Sequence, residues 1–393
     1  MNNKKFTNLI STCGRKILFV NHAAVLGGAE LCLVDLAIAY RNASQILLFE
    51  EGPLQNRLSS LNILVKTIPA PGALLSVRTS SRLSGLAAFP ALWWMGRRIL
   101  EQSQGFDVIH ANSQKAFAAA ALSRWMGGPP VIWHLRDIIT ARHFSSLNRW
   151  LAITLANSQA SKVFVNSNAT AKAFIAAGGN ADLVQVLHDG VSNVPFGEVK
   201  REQVLAIRAE IGISEKIPLI GCFSRLSYWK GQHILLEAIQ DLPEVHVMFV
   251  GKALFGEEDY VNRLNELGAS PKLSGRVHWM GFRSDVPVLM SACNIITHTS
   301  TEPEPFGRVI IEGQLARKPV IATAAGGAQE LIEDGRTGRL VPPGNSNALR
   351  KVIEELLSCP AQAEEIACQG YNSASTGFSL DAHLKKFSAA LGL

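Results

Sequence analysis

The sequence predicts an α/β protein with two successive doubly wound parallel sheets, each of the Rossmann-like kind. Short runs rich in Val, Ile and Leu alternate with helical patterns, and several runs are apolar on both faces, as buried parallel strands are. The alternation starts again near residue 217. With 393 residues, the chain is also too long for one compact core and suits two domains of ordinary size.

The elements of the first half follow from this alternation. Helical patterns at 29–40 and 115–125 separate runs that have the β-branched, apolar character of strands. The predicted strands are 16–20, 45–49, 63–68, 107–110, 131–134 and 162–166. Strands that alternate with helices are joined by right-handed crossovers, which makes the predicted sheet parallel.

The second half repeats the pattern with a strand at 217–223, a polar loop and a helix at 232–239. The further predicted strands are 245–250, 277–280, 295–298 and 319–322. Between the halves, 194–213 holds Pro195, Gly197 and a charge-rich helical pattern, which is typical of a hinge region.

These boundaries give an N-terminal domain of residues 1–194, to which a C-terminal helix at 378–393 returns, and a C-terminal domain of residues 195–377. In open α/β sheets, ligands bind beyond the carboxyl ends of the strands. We therefore expect the chemistry in a cleft between the two domains.

Composition excludes several classes of protein. Apolar residues make up 47% and charged residues 18%, a globular composition without the excess charge of disordered chains. No apolar run reaches the ~18 residues that a membrane-spanning helix needs, so we do not expect the chain to span a membrane.

The net charge of +6 has two interpretations. It is either an ordinary charge that keeps the protein soluble, or it attracts nucleotide phosphates, a lipid-linked pyrophosphate or an anionic membrane face. Nucleic acid is not an expected partner.

The six cysteines form no C-x-x-C pair, and no His-rich tract accompanies them. A disulfide framework or a structural zinc site is therefore not expected. Most of the cysteines lie in apolar runs, as small core residues do in a reducing compartment. We expect a cytoplasmic protein.

Gly27 and Gly28 form a turn after the first predicted strand, at the start of a helix. Two glycines let the backbone approach a ligand closely, and a helix N-terminus favours an anion. The alternative is an ordinary tight turn. A G-x-G-x-x-G pattern is absent, which argues against a nicotinamide or flavin enzyme.

Arg225 and Lys230 lie in the corresponding loop of the second half, between its first strand and its first helix. Two cations that flank such a loop can hold a diphosphate and offset the charge that grows on a diphosphate leaving group. The alternative is a solvated basic loop.

The strongest pattern contains Glu304 and Glu312, eight positions apart, with Pro305, Phe306 and Gly307 between them. Pro305 favours an extended Glu304 and a helix that starts just after it. Gly307 allows close backbone access at the first helical turn, where the amides would face an anion. The alternative is an exposed acidic loop followed by an ordinary helical glutamate.

In their order along the chain, these residues resemble the glycosyltransferase family 4 group of retaining GT-B enzymes. The resemblance covers nearly the whole chain, and the ordered set is far more specific than any single motif. It also includes Gly326-Gly327 with Glu330, and the run 334–338 before Leu340-Val341-Pro342. The family's fold places two Rossmann-like domains opposite each other across a cleft.

The resemblance implies roles for the matched positions. Arg225 and Lys230 would bind the diphosphate of a nucleotide-sugar donor, Glu312 its ribose and Glu304 the hydroxyls of its sugar. The other implied contacts are the amides of Phe306, Gly307 and Arg308 at sugar and phosphate, Gly27 and Gly28 over the phosphate, His134 near the donor sugar, and Phe282 with Arg283 at the base. For His134, the alternative is a packed histidine at a strand end.

Two segments depart from the family's usual pattern. The run 189–192 reads Asp-Gly-Val-Ser where relatives usually have Asn-Gly-Val-Asp, and 110–113 reads His-Ala-Asn-Ser in place of a paired-histidine form. The loop at 189–192 is not catalytic in the family, so its departure from the usual pattern does not change the expected activity. His110 is a candidate site residue.

No D-x-D carboxylate pair occurs in the sequence. Cations and amides would then have to neutralise the leaving diphosphate, so we expect no metal and no other cofactor. Retention of configuration is implied by the resemblance alone. The residues themselves leave open an inverting reaction with Asp137 or His134 as the base.

Residues 78–102 combine aromatic and basic side chains amid Leu, Ala and Gly. These are Arg78, Arg82, Phe89, Trp93, Trp94, Arg97 and Arg98. A helix of this kind either lies in a membrane interface or packs its two tryptophans in the core. Because similar enzymes often meet lipid in this region, peripheral contact with the inner face of the membrane is an expectation.

Together these features predict a metal-independent transferase whose N-terminal domain takes a saccharide or lipid-linked acceptor and whose C-terminal domain takes the donor. UDP-sugar is the first expected donor and GDP-mannose the second, in surface polysaccharide or glycolipid assembly. The rivals are a nucleotide-sugar 2-epimerase of the same architecture and a non-catalytic nucleotide-sugar-binding subunit. The spacing of Glu304 and Glu312 favours the transferase.

Overall fold

The structure is a computed structural model that describes residues 14–75, 88–140, 144–254 and 256–392. Arg78 and Arg82 of the predicted membrane segment lie outside these residues. The chain divides into two compact units, one of Met1–Gly190 with His383–Leu393 and the other of Val191–Ala382. The predicted domain limits, and the acceptor and donor roles given to the domains, stay predictions.

The first unit contains a parallel sheet of seven strands. They are β1 (Ile17–Asn21), β2 (Ser44–Leu48), β3 (Val65–Thr67), β4 (Val108–Ala111), β5 (Val131–Leu135), β6 (Ala160–Val165) and β7 (Val184–Val186). Their spatial order is β3-β2-β1-β4-β5-β6-β7. The direction of winding reverses between β1 and β4, and the carboxyl ends of these two strands form the switch point where such sheets bind ligands.

Helices cover both faces of this sheet, and every residue of its central strands β1, β4 and β5 is buried. They are α1 (Gly28–Ala39), α2 (Pro53–Ser60), α3 (Gly72–Leu75), α4 (Phe89–Gln102), α5 (Gln114–Trp125), α6 (Ser146–Gln159) and α7 (Asn168–Ala176). In the core, the Trp133 ring of β5 stacks on the Phe117 ring of α5, with 4.5 Å between the ring centroids.

The second unit contains a parallel sheet of six strands. They are β8 (Leu219–Phe223), β9 (His246–Val250), β10 (Val277–Trp279), β11 (Ile295–His298), β12 (Val320–Thr323) and β13 (Arg339–Val341). Their order is β10-β9-β8-β11-β12-β13, so this sheet has its switch point between β8 and β11.

The helices of the second unit begin with the segment that the sequence predicts as a hinge. They are α8 (Val194–Gly197), α9 (Arg201–Glu210), α10 (Gln232–Ile239), α11 (Glu258–Gly268), α12 (Val286–Ala292), α13 (Arg308–Leu315), α14 (Ala328–Leu331), α15 (Ser346–Ser358) and α16 (Pro360–Gly377), whereas most of the last helix, α17 (Leu380–Leu391), belongs to the first unit. Arg208 of α9 is buried and donates to the carbonyl oxygens of Ala292 and Ile217. The segment is therefore packed into the second unit.

The fold class predicted from the sequence is confirmed, because both units are doubly wound parallel sheets. Every predicted strand overlaps an observed strand. The edge strands β7 and β13 were not predicted, whereas the edge strands β3 and β10, which are also three residues long, were. Within the described ranges, no helix combines the length and apolar character needed to cross a membrane.

Candidate functional site

The loops that follow β8 and β11 meet at the switch point of the second sheet. The amide of Thr301 donates to the Trp229 carbonyl at 2.7 Å, and the Thr299 hydroxyl donates to the Lys230 carbonyl at 2.9 Å. Gly231 has φ +68°, and a Cβ there would overlap the Thr299 carbonyl oxygen. A glycine at 231 thus lets one loop lie directly on the other, which fixes the position of Lys230.

Lys230 and Glu304, predicted separately for diphosphate and sugar, are in direct contact. Nζ of Lys230 lies 2.6 Å from Oε2 of Glu304, and the side chains are only 14% and 13% exposed. His298 Nε2 and Ser300 Oγ each lie 3.1 Å from the same oxygen. Burial raises the pKa of the Glu304 carboxyl, but Lys230 and His298 outweigh it and hold this pKa well below its ordinary value. The group is a carboxylate at neutral pH.

Arg225 and Lys230 share one aromatic neighbour. Lys230 Nζ lies 4.0 Å from the centroid of the Trp229 ring, and the Arg225 guanidinium carbon lies 5.6 Å from it. Both distances are within the range of cation–π attraction. The structure therefore brings the two predicted diphosphate ligands to one place.

The backbone of Glu304 is held by the Gly326-Gly327 turn that follows β12. Glu304 forms an isolated parallel bridge with Gly326, and the Gly327 amide donates to the Glu304 carbonyl at 2.7 Å. Gly326 has φ +65°, and a Cβ at this position would overlap the Glu304 carbonyl oxygen. Only glycine allows this close approach without strain.

Gly307 caps the N-terminus of α13 with φ +103°, a backbone conformation that favours glycine. The Phe306 side chain before it is 3% exposed and packs in the core of the unit. Within the helix, Arg308 Nε lies 2.8 Å from Oε1 of Glu312. Glu312, predicted as the ribose ligand, thus has a cationic partner one turn earlier.

Phe282 and Arg283, predicted at the base, differ in their surroundings. The Phe282 ring is 55% exposed, and Lys252 Nζ lies 5.9 Å from its centroid. Arg283 instead pairs with Asp285 at 2.7 Å and Glu210 at 2.8 Å. Hydrogen bonds to Asp285 and then Glu210 raise the pKa of Arg283. Of these two side chains, Phe282 is the one that offers an exposed ring for stacking.

In the first unit, Gly28 opens α1 as predicted, but the preceding amide is already engaged. The Gly27 N–H donates to Oε2 of Glu30 at 3.2 Å. Glu30 is 8% exposed, and burial raises the pKa of its carboxyl. A phosphate that used the Gly27 amide would have to displace this carboxyl.

His134 is fully buried at the end of β5, in a polar network of the first unit. Its Nδ1 lies 3.2 Å from Nε2 of His110 and 3.4 Å from a guanidinium nitrogen of Arg136. Burial and then the Arg136 charge lower the pKa of His134 well below 6.5, so the ring is neutral. Arg136 also donates to Asn112 at 3.0 Å and to Asp189 at 2.5 Å. The network joins both segments that depart from the family pattern.

A histidine–serine pair at the switch point of the first sheet was not predicted. Nδ1 of His22, which follows β1, lies 2.7 Å from Oγ of Ser113, which follows β4. Burial, and then Lys115, lowers the pKa of His22 to about 4. No described residue hydrogen-bonds the other ring nitrogen, Nε2. The sequence signal that could have indicated this pair is that His22 and Ser113 each lie within two residues of the end of a buried strand.

His298 and Ser300 were also missed, although they adjoin the strongest motif. His298 is the last residue of β11 and Ser300 follows it by two positions, at the edge of the sheet where ligands bind. A metal centre was not predicted, and within the described residues no group of three or more His, Cys, Asp or Glu side chains could hold a metal ion.

Comparison with known families gives two matches that follow one another along the chain. Residues 27–190 match the family model described as glycosyl transferase 4-like domain, and residues 204–373 match the one described as glycosyl transferases group 1. Among curated proteins, the chain is 29% identical to the lipopolysaccharide core biosynthesis glycosyltransferase LpsE of Rhizobium meliloti, over 46% of this chain and 52% of that protein. It is 28% identical to the sulfoquinovosyl transferase SQD2 of Arabidopsis thaliana, over 67% of this chain and 54% of that protein. The chain thus spans about half the length of these relatives.

Solved structures extend the similarity to nearly the full chain. The crystal structure of Anabaena Alr3699/HepE in complex with UDP and glucose has a TM-score of 0.88 and 37% sequence identity, and the match covers 96% of this chain and 99% of that one. Its complex with UDP-glucose has a TM-score of 0.87 at the same identity and coverage. The chain therefore belongs to the group 1 glycosyl transferases, an enzyme family of GT-B fold with a glycosyl transferase 4-like N-terminal part.

Proposed function

We propose that this chain transfers a sugar from a nucleotide-diphosphate donor to a saccharide or lipid-linked saccharide, in surface polysaccharide or glycolipid assembly. The observation that carries the proposal is the contact of Lys230 with Glu304 at the switch point, beside Arg225. Cations suit a diphosphate, and an ionised carboxylate suits sugar hydroxyls. UDP-sugar is the first choice, because the similar HepE structures contain UDP, glucose or UDP-glucose. GDP-mannose is the second.

The proposed reaction breaks the bond between C1 of the sugar and the diphosphate oxygen, and it forms a bond from C1 to an acceptor hydroxyl oxygen. The proton of that hydroxyl passes to the leaving diphosphate. Negative charge grows on the leaving diphosphate in the transition state. Arg225 and Lys230, with the amides at the start of α13, would offset this charge where it develops. In this proposal the protein's own cations do the work of a metal, and retention of configuration is taken from the family resemblance.

The first unit is the proposed acceptor side, and the pair of His22 and Ser113 supports this role. Both side chains lie at the switch point of its sheet, and His22 presents a nitrogen that no described group hydrogen-bonds. A neutral imidazole can form a hydrogen bond with a hydroxyl group of the acceptor substrate. The buried His134 would act on the donor sugar only through a change in its packing.

We also propose peripheral membrane contact through α4 and the end of α5. Phe89, Trp94 and Trp125 are 52%, 38% and 65% exposed, and the Arg98 guanidinium lies 5.2 Å from the Trp94 ring centroid. Aromatic rings with adjacent cations suit an anionic interface.

The test is the fraction of protein that sediments with phosphatidylglycerol vesicles. Relative to wild type, this fraction should fall for Trp125→Ser and be unchanged for Ile175→Ser, a control whose Ile175 side chain is 43% exposed. Equal sedimentation of all three proteins would contradict this contact.

The donor class is tested by calorimetric titration with UDP, GDP, ADP and their common sugar conjugates, with and without EDTA. Glu312→Ala is the test variant, and Glu333→Ala is the control, because Glu333 lies in an exposed pair with Arg336. We expect one diphosphate to bind tightly, without an effect of EDTA, and to bind more weakly to Glu312→Ala alone. If no nucleotide binds, the donor site is wrong.

The reaction is tested by proton NMR of UDP-glucose incubated with the protein and a panel of p-nitrophenyl glycosides. Loss of UDP-glucose with release of UDP and formation of a new glucoside, or of free glucose, supports the transferase. Formation of a UDP-sugar epimer would support the 2-epimerase. Binding without any turnover would support a non-catalytic subunit.

A further inference from the structure

The two carboxylate oxygens of Glu304 have different surroundings. Oε2 receives three hydrogen bonds, from Lys230 at 2.6 Å, His298 at 3.1 Å and Ser300 at 3.1 Å. Oε1 receives none from the described residues and is not sealed from solvent. One oxygen is therefore anchored, while the other is open to a hydroxyl donor.

The three anchors are not equivalent. Lys230 belongs to the loop after β8 and lies beside Arg225, so a diphosphate in this site would compete with Glu304 for its charge. His298 and Ser300 belong to the same segment as Glu304, and they are 4% and 1% exposed. The Ser300 carbonyl also accepts a hydrogen bond from Thr323 at 2.8 Å. If Lys230 turned to a diphosphate, His298 and Ser300 would still lie within hydrogen-bond distance of the carboxylate.

The surroundings of His298 fix which of its nitrogens carries the proton. Nε2 lies 3.1 Å from Oε2 of Glu304 and 3.2 Å from Oγ of Ser300. Nδ1 is buried and has no hydrogen-bond partner among the described residues. A buried N–H without a partner costs more than a bare ring nitrogen, and a carboxylate needs a donor. Nε2 is therefore the protonated nitrogen, and it donates to Glu304.

We propose that His298 is a positioning residue for the donor sugar, which anchors one oxygen of Glu304 so that the other accepts a hydroxyl of the sugar. The inference rests on the proposed function, since it requires a nucleotide sugar in this site. It assigns His298 no contact with the nucleotide itself. Loss of His298 should therefore weaken the binding of a nucleotide sugar but not the binding of the bare nucleotide.

The test compares two substitutions of His298 by calorimetry in EDTA, with UDP and UDP-glucose as the probes. His298→Leu removes the donor, whereas His298→Gln places an amide N–H close to the position of Nε2. For His298→Leu we expect the Kd of UDP-glucose to rise about tenfold, the value of one hydrogen bond to a charged group, with the Kd of UDP unchanged. His298→Gln should restore most of the loss, and Ser300→Ala should show a smaller effect of the same kind.

The ratio of the two dissociation constants separates the possible outcomes. The inference is overturned if the Kd of UDP-glucose divided by the Kd of UDP is the same in wild type and His298→Leu. This includes the case in which the quotient is one in both proteins. Equal losses for UDP and UDP-glucose would give that result and would indicate a purely structural role. If UDP binds the wild type but the ratio does not change, only this inference fails. If UDP does not bind the wild type, the proposed function fails and the inference falls with it.

Discussion

Oε2 of Glu304 lies 2.6 Å from Nζ of Lys230, although the two residues are 74 positions apart in the chain. The carboxylate proposed for the sugar and the ammonium proposed for the diphosphate thus neutralise each other in this structure. A mostly buried charge is costly without a partner, so the pair keeps both groups ionised. Donor binding would then be an exchange of partners, with Lys230 passing to the diphosphate and Glu304 to the sugar.

Because the pKa of Glu304 is lowered, its contribution to the free energy of unfolding should fall as the solution becomes acidic. The folded-state pKa lies below the unfolded value of 4.5, so the stabilisation is present in full above that value and is lost as pH falls toward the folded pKa. Glu304→Gln cannot titrate. In urea unfolding between about pH 6 and about pH 3, the stability difference between wild type and Glu304→Gln should shrink. A difference that is constant over this range would contradict the ionised pair.

A methyl group at Gly326 should displace the segment that carries Glu304. Gly326→Ala combines φ +65° with an overlap on the Glu304 carbonyl, whereas Gly335 has φ +75° and no described atom within 4 Å of the point where a Cβ would lie. Gly335→Ala therefore measures backbone strain alone, at about 1 kcal/mol. We expect UDP-glucose to bind far more weakly to Gly326→Ala than to Gly335→Ala in calorimetry. Similar affinities for the two variants would show that the turn does not position Glu304.

The buried pair of Arg136 and Asp189 should matter more for stability than its counterparts at the surface. The two side chains are 6% and 5% exposed, and their closest atoms are 2.5 Å apart. Arg136→Ala leaves a buried carboxylate without its cation, which costs about 3–5 kcal/mol. Asp189→Asn keeps an oxygen acceptor but leaves the buried Arg136 cation without its anion, so it should also cost about 3–5 kcal/mol. Urea unfolding measures both losses, and a loss below about 1 kcal/mol for Asp189→Asn would argue against the ion pair as the main interaction.

Much of the fold could be predicted because the central strands carry a clear signal. All five residues of β1 and of β8 are buried, and all of them except Asn21 are apolar, without alternation. The loops after them could be placed as well, since Arg225 and Lys230 follow such a run directly. The edge strands β7 and β13 were missed, although β3 and β10 of the same length were predicted. The packing of α9 could not be predicted, because a buried arginine has no distinct sequence pattern.

The site could be predicted only as separate pieces. That Lys230 meets Glu304 depends on β8 lying beside β11, which is a property of strand order and not of spacing. The pairing of Glu312 with Arg308 is an ordinary spacing of four on a helix and could have been expected. The roles of His298, Ser300 and His22 could not, because a single polar residue after a strand looks the same whether or not it faces a site.

The most direct measurement is a calorimetric titration of UDP-glucose in EDTA into wild type, Lys230→Ala and Lys272→Ala. Lys272 is a matched control, because it also pairs with a carboxylate at 2.7 Å but is 62% exposed. We expect one molecule of UDP-glucose to bind wild type and Lys272→Ala equally, and Lys230→Ala at least about tenfold more weakly. Equal binding by all three proteins, or no binding by any, would contradict a donor site built on Lys230 and Glu304.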